Sequence, residues 1–208
     1  SQHPAPRIMD LTRKPVGCGL TVSHCTHDEV LPQMQRLVDL GADVVPIVSY
    51  TVANVDSKFG EAAMWLQKIR KISGKEVIAT IPGAEPLGPS KRLDIRLIAP
   101  CTGNSLAKLA NALTESPVLM AAKATMRNQR PIVVAISTND GLGFNAANLA
   151  KLLSARNFYF VPFGQDNPET KPNSLVARME LIPETCFNAL NKKQIQPLVV
   201  EKYRYLPS

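Results

Sequence analysis

From one end of the chain to the other, short β-branched runs alternate with segments of helical period. Strands spaced by single helices pair in parallel, because each helix carries the chain back across the sheet. The alternation therefore predicts successive βα units, with helices on both faces of a mostly parallel sheet of about six strands. The strand candidates are residues 16–21, 44–48, 77–81, 95–99, 132–137 and 158–163. Val30, Met34, Leu37 and Val38 mark one apolar helix face, and Phe59, Ala62, Leu66, Ile69 and Ile72 mark another. Gly41 and Gly74 are natural helix stops. Pro32 leaves two starts open for the first helix: near Thr26, with Thr26 and Glu29 as a capping box and a bend at Pro32, or at Pro32 itself. Stretches 82–90 and 162–172 are rich in turn residues and read as loops at the strand ends, where an open α/β sheet forms its ligand crevice.

A length of 208 residues suits one domain, and 45% hydrophobic with 20% charged residues excludes a disordered chain. Residues 1–14 and 201–208 are expected to be loosely tied to it. No apolar run approaches the roughly 20 residues needed to span a bilayer. Residues 1–14 lack the apolar core of a signal peptide, so no membrane association and a cytoplasmic location are expected. Cys18, Cys25, Cys101 and Cys186 form no C-x-x-C pair and read as reduced thiols. The net charge of +7 is spread along the chain with few aromatics, which speaks against nucleic acid and suits anionic small molecules or an acidic partner surface.

Two constellations display polar groups at strand ends. Gly17-Cys-Gly-Leu-Thr-Val-Ser-His-Cys-Thr26 leaves the first strand and enters the first helix. Backbone N–H groups at a helix start, with small hydroxyls, form a phosphate site, and Ser23 and Thr26 are its contact candidates because Asp28 and Glu29 would repel an anion. The same small residues equally suit a strand-to-helix turn that needs only a cap. Val22 stands at the third glycine position of a dinucleotide fingerprint, so no nicotinamide site is expected here. His24, Cys25 and His27 are of metal-ligating type, but no further Cys or His follows at fitting spacing and no metal is expected. No G-x-S-x-G elbow is present. In the second constellation, Ile98 to Asn111, Pro100 is expected to end a strand. Cys101, Thr102, Gly103 and Asn104 then supply small and amide groups before an Ala/Leu-rich helix.

Ala99-Pro-Cys-Thr-Gly-Asn104 resembles the P-A-S-A-N-T segment of the flavin-dependent cysteine decarboxylase superfamily. With Ser23-His-Cys-Thr, Val45-Pro-Ile-Val-Ser-Tyr-Thr, Glu85-Pro-Leu-Gly-Pro, Leu119-Met-Ala-Ala-Lys-Ala-Thr, Ser137-Thr-Asn-Asp-Gly-Leu-Gly and Pro162-Phe-Gly-Gln-Asp-Asn-Pro, it resembles more narrowly the family of dipicolinate synthase B subunits, from about Val16 to Val200. The resemblance implies a Rossmann-like three-layer sandwich, FMN as cofactor, homo-oligomers that bury residues such as Trp65, and a partner, the A subunit of dipicolinate synthase, carrying NAD(P). The implied reaction is oxidation of a dihydrodipicolinate-type dicarboxylate to dipicolinate during endospore formation. Ser23 and Ser49 fall where the superfamily keeps hydroxyls near the FMN phosphate, and Asn104 falls on the segment's amide. Pro100, Cys101, Thr102, Ser137 and Thr138 complete the expected cofactor-binding set, and Asn139 falls on an asparagine that contacts a substrate carboxylate. The decarboxylases carry a catalytic histidine where this chain has Pro86, and no histidine follows His27. That departure weighs against a decarboxylase and leaves a non-catalytic FMN- or phosphate-binding module as the other reading.

Overall fold

The structure is a computed structural model that describes residues 9–20, 24–49, 61–87, 92–113 and 115–201, with backbone alone for 24–27, 61 and 62. Ser23, Phe59 and the side chains of His24, Cys25, Thr26, His27 and Ala62 therefore lie outside the described part, as do residues 1–8 and 202–208.

Among the described residues, seven strands form one sheet. In chain order they are β1 (Pro15–Leu20), β2 (Asp43–Val48), β3 (Ile95–Cys101), β4 (Ile132–Thr138), β5 (Phe158–Phe160), β6 (Phe163–Gly164) and β7 (Leu175–Ala177). The sheet order is β2-β1-β3-β4-β7-β6, with β5 also on β4. The first four strands and β5 pair in parallel, whereas β7 pairs antiparallel with both β4 and β6. β3 is buried along its whole length, as a parallel strand covered on both faces must be. Among the described residues the α-helices are α1 (His24–Asp39), α2 (Glu61–Ser73), α3 (Ile81–Ala84), α4 (Gly103–Ala110), α5 (Pro117–Arg127), α6 (Ala146–Leu153) and α7 (Ile182–Leu190).

Several boundaries depart from expectation for identifiable reasons. Helix α1 starts at His24, which puts Thr26 inside the helix rather than at its cap, and it continues through Pro32. An interior proline costs about 3 kcal/mol. Burial of Val30, Met34 and Leu37 outweighs it, at roughly 1.5–3 kcal/mol per large apolar side chain. The strand expected at 77–81 shrinks to a single bridge between Ile78 and Ile47. Thr80 then captures the Gly83 N–H at 3.0 Å and starts α3, which runs from Ile81 into the stretch read as loop. Strand β3 runs through Pro100 to Cys101 rather than ending at the proline.

The segment expected as one strand at 158–163 divides at Val161-Pro162. Its first half lies parallel to β4, while Phe163–Gly164, expected in a loop, pairs with β7. Nor is 1–14 loose throughout: Leu11 is fully buried and its N–H donates to Leu40 O at 3.2 Å, while Arg13 N–H donates to Gly41 O. Gly41 and Gly74 do end their helices, with φ of +93° and +70°.

Arg96 stands fully buried in the apolar run of β3. Its Nη1 donates to Gly17 O at 2.7 Å and to Leu97 O at 3.0 Å, and its Nη2 donates to Val118 O in α5 at 3.4 Å. Gly17 and Gly19 make room for it, since a Cβ on Gly19 would collide with the guanidinium. Burial draws the guanidinium down to about 9, against the opposing pull of Cys18, and it stays charged at neutral pH.

Candidate functional site

The carboxyl ends of β3 and β4 open onto a cleft of about 580 Å³. The β3 end supplies Thr102 and Gly103, and the β4 end supplies Ser137, Thr138, Asn139 and Asp140. The wall opposite comes from the segment between β6 and β7, with Asp166, Lys171 and Ser174, and from Val176 within β7; Glu29 of α1 closes one side. This is the strand-end position at which an open α/β sheet takes its ligand.

Thr102 caps α4, its Oγ1 accepting from Ser105 N at 3.3 Å. The entry of that helix is tied to β4 through Asp140. Thr138 Oγ1 donates to Asp140 Oδ1 at 2.6 Å, and Asn145 Nδ2 donates both to the same oxygen at 2.9 Å and to Gly103 O at 3.1 Å. These two donors, Asn145 first and Thr138 second, hold the Asp140 carboxyl below its ordinary range. Gly103 has no room for a side chain: a Cβ there would stand 2.6 Å from Thr138 Oγ1, 2.9 Å from Asn145 Nδ2 and 3.0 Å from Asp140 Oδ1. The Asp140 carboxylate thus already occupies the amino end of α4, where a free anion would otherwise be drawn.

Of the residues anticipated from sequence, Thr102, Ser137, Thr138 and Asn139 meet in this cleft. Pro100 and Cys101 are buried in β3, and burial pushes the Cys101 thiol up to about 12. Asn104 is exposed on α4 and does not line the cleft. Ser49 lies just past β2, half-buried, with its N–H donating to Leu20 O at 3.1 Å. Trp65 lines a separate groove between α1 and α2, where Lys68 Nζ lies 5.2 Å from the ring centroid.

Sequence reasoning missed Asp140, Asn145, Asp166 and Lys171. Only the first carried a local signal, standing next to Asn139 in a turn-rich run. Asp166 and Lys171 lie in a loop whose path depends on β6 and β7 pairing. Asp166 Oδ1 is shut from solvent with no hydrogen-bond partner. Lys171 is exposed and is the cation among the described lining residues, which also include three carboxylates.

These residues fit part of an FMN molecule. A wall of small polar groups suits a ring or polyol that brings N–H and O–H donors. A phosphate does not fit against the first turn of α4, because the Asp140 carboxylate is there. Ser23, the other phosphate candidate, lies outside the described residues.

Comparison with known proteins adds four findings. The family described as Flavoprotein matches residues 7–182. The chain is 55% identical over 197 residues to the dipicolinate synthase B subunit of Bacillus subtilis (strain 168), covering 95% of this chain and 98% of that protein. The crystal structure of the dipicolinate synthase B subunit from Bacillus halodurans superposes with a TM-score of 0.88 at 56% identity, covering 94% of this chain and all of that one. Cypemycin decarboxylase shares the fold at a TM-score of 0.63 and 17% identity, over 88% of this chain and 97% of its own.

Proposed function

The chain belongs to the flavoprotein family, and from that premise we propose that it serves as the B subunit of a dipicolinate synthase, binding FMN and a small cyclic dicarboxylate. The observation that carries the reading is the cleft itself. Asn139 and Lys171 line one crevice from two separate segments, and together they offer amide donors and a cation to a ligand with two carboxylates.

In this reading Ser23 and Ser49 would hold the FMN phosphate and Thr102, Ser137 and Thr138 would hold the rest of the molecule, which would supply two-electron chemistry when bound. Pro100, Cys101 and Asn104 contribute through the β3–α4 connection, and Thr26 through the start of α1. Asn139 donates to one substrate carboxylate, and Lys171 neutralises the other. The Asp140–Asn145 tie keeps the Asn139 turn in register with α4. NAD(P) is carried by a partner, the A subunit of the synthase. This chain forms homo-oligomers, and both proteins work in the cytoplasm.

The test follows dipicolinate formation by its ultraviolet absorbance with this chain alone, the A subunit alone and the two mixed, alongside titration of the chain with FMN by flavin fluorescence. Activity that needs both chains, with saturable FMN quenching, is the expected result. Full activity from the A subunit alone would reduce this chain to an accessory binding module.

A further inference from the structure

The polar groups of the cleft divide into those already engaged and those left open. Thr102 caps α4, Thr138 and Asp140 are bonded to each other, and Glu29 makes an interaction of its own. Ser137, Asn139 and Ser174 line the same cleft, and their side chains have no hydrogen-bond partner among the described residues. Ser137 and Thr138 of β4 pair with Val176 and Leu175 of β7, and the next step of that antiparallel ladder sets Asn139 against Ser174. Residues two apart on a strand share a face, so Ser137, Asn139, Ser174 and Val176 fall on one face, and all four line the cleft. Ser174 is the deepest of the three open groups, at 2% exposure. Among the described residues, the unpartnered side-chain atoms shut from solvent are Arg96 Nε and Asp166 Oδ1, and Ser174 Oγ is not one of them. The hydroxyl therefore keeps an opening, and the surface it opens onto is the cleft. A nearly buried hydroxyl without a partner costs stability, and a ligand on the cleft side can supply the missing bond.

We propose that Ser174 is a ligand-binding residue that works as a pair with Asn139, the two gripping one carboxylate of the ligand from neighbouring strands. This rests on the reading of the chain as a binder of a small cyclic dicarboxylate. Residues directly opposite on an antiparallel ladder hold their Cβ atoms about 4.5–5.5 Å apart, which lets both side chains reach the two oxygens of one carboxylate. The Ser174 hydroxyl donates to one oxygen and the Asn139 amide to the other. Asn139 is exposed and Ser174 is almost enclosed, so the carboxylate enters past the amide and comes to rest on the hydroxyl. Because the β4–β7 pairing sets the spacing of the pair, the grip is fixed before the ligand arrives.

The test titrates the full chain, with FMN added, with dipicolinate by calorimetry in wild type, Ser174→Ala, Asn139→Ala and the double variant, and records melting temperatures without dipicolinate. Ser174→Ala replaces an unpartnered, nearly buried hydroxyl with a methyl group, so it should melt at or above wild type. It should nevertheless bind dipicolinate roughly tenfold or more weakly, because a hydrogen bond to a charged group is lost. A serine with a merely structural role would lower the melting temperature instead. The double variant should lose less affinity than the product of the two single losses, since both side chains hold the same carboxylate. If Asn139→Ala weakens binding while Ser174→Ala leaves it unchanged, or if Ser174→Ala melts below wild type, the Ser174 proposal falls and the proposed function stands. Losses that simply multiply in the double variant would likewise overturn the shared grip. If wild type binds no dipicolinate, this proposal and the proposed function fall together.

Discussion

Asn145 Nδ2 donates to Asp140 Oδ1 at 2.9 Å, and that bond joins the turn after β4 to the start of α6. The same nitrogen reaches Gly103 O at 3.1 Å, so three elements meet at one amide beside the cleft. Asn148 Nδ2 in turn donates to Asn145 Oδ1 at 2.9 Å and fixes which way the amide faces.

The tie should show in the acid limb of stability. The Asp140 carboxyl is lowered from its ordinary value of 3.8, so the folded state holds its proton less readily than the unfolded state. Its contribution is fully present above the ordinary carboxylate range and is lost as pH falls through the lowered value. Asp140→Asn should therefore melt below wild type at pH 7, and the gap should close as the pH is brought down below about 4. A gap of constant size down to acid pH would show that the charge contributes nothing.

Gly103→Ala should be costly out of proportion to one methyl group, because the new Cβ meets Thr138, Asn145 and Asp140 together. A loss of about 1–3 kcal/mol in chemical denaturation is expected, as for an overpacked core position. Cleft ligands should weaken in parallel. Wild-type stability in Gly103→Ala would mean that the three side chains yield freely.

Replacing Asn139 with Ala should remove a hydrogen bond to a charged carboxylate. The cost is about 1.5–3 kcal/mol, or roughly 10- to 150-fold in affinity or rate for a dicarboxylate. Lys171→Met should have a smaller effect that fades with added salt, because Lys171 is exposed and screened. Unchanged kinetics in both variants would remove these residues from the site.

Thiol chemistry gives a separate check on burial. Desolvation pushes Cys18 up to about 12 against the opposing charge of Arg96, takes Cys101 to about 12, and raises Cys186 well above the ordinary range. All three are free and buried. In a Cys25→Ser variant, native protein at pH 8 should react with Ellman's reagent only after denaturant is added. Rapid native labelling at Cys101 would show that β3 opens beside the cleft.

Arg96→Lys should not be conservative. The guanidinium spreads its donors over Gly17 O, Leu97 O and Val118 O, and a single ammonium cannot reach all three. A destabilisation of about 1.5–3 kcal/mol is expected from denaturant titration. Equal stability would show that the space under Gly17 and Gly19 holds a lysine as well.

The sequence by itself determined what repeats or acts locally. Apolar runs mark β1 to β4 because a strand covered on both faces needs no polar alternation. Gly41 and Gly74 mark helix ends because a left-handed residue is needed there. Thr102, Ser137, Thr138 and Asn139 could be placed at a crevice because strand ends in such a sheet face one edge. Tertiary structure alone decided the rest. Arg96 reads as an interruption of an apolar strand until Gly17 and Gly19 are seen to leave it space. Asp166 and Lys171 enter the site only because β7 reverses direction against β4 and brings the preceding loop across the cleft. Such convergence depends on pairing between residues far apart in the chain, and no local pattern of side chains encodes it.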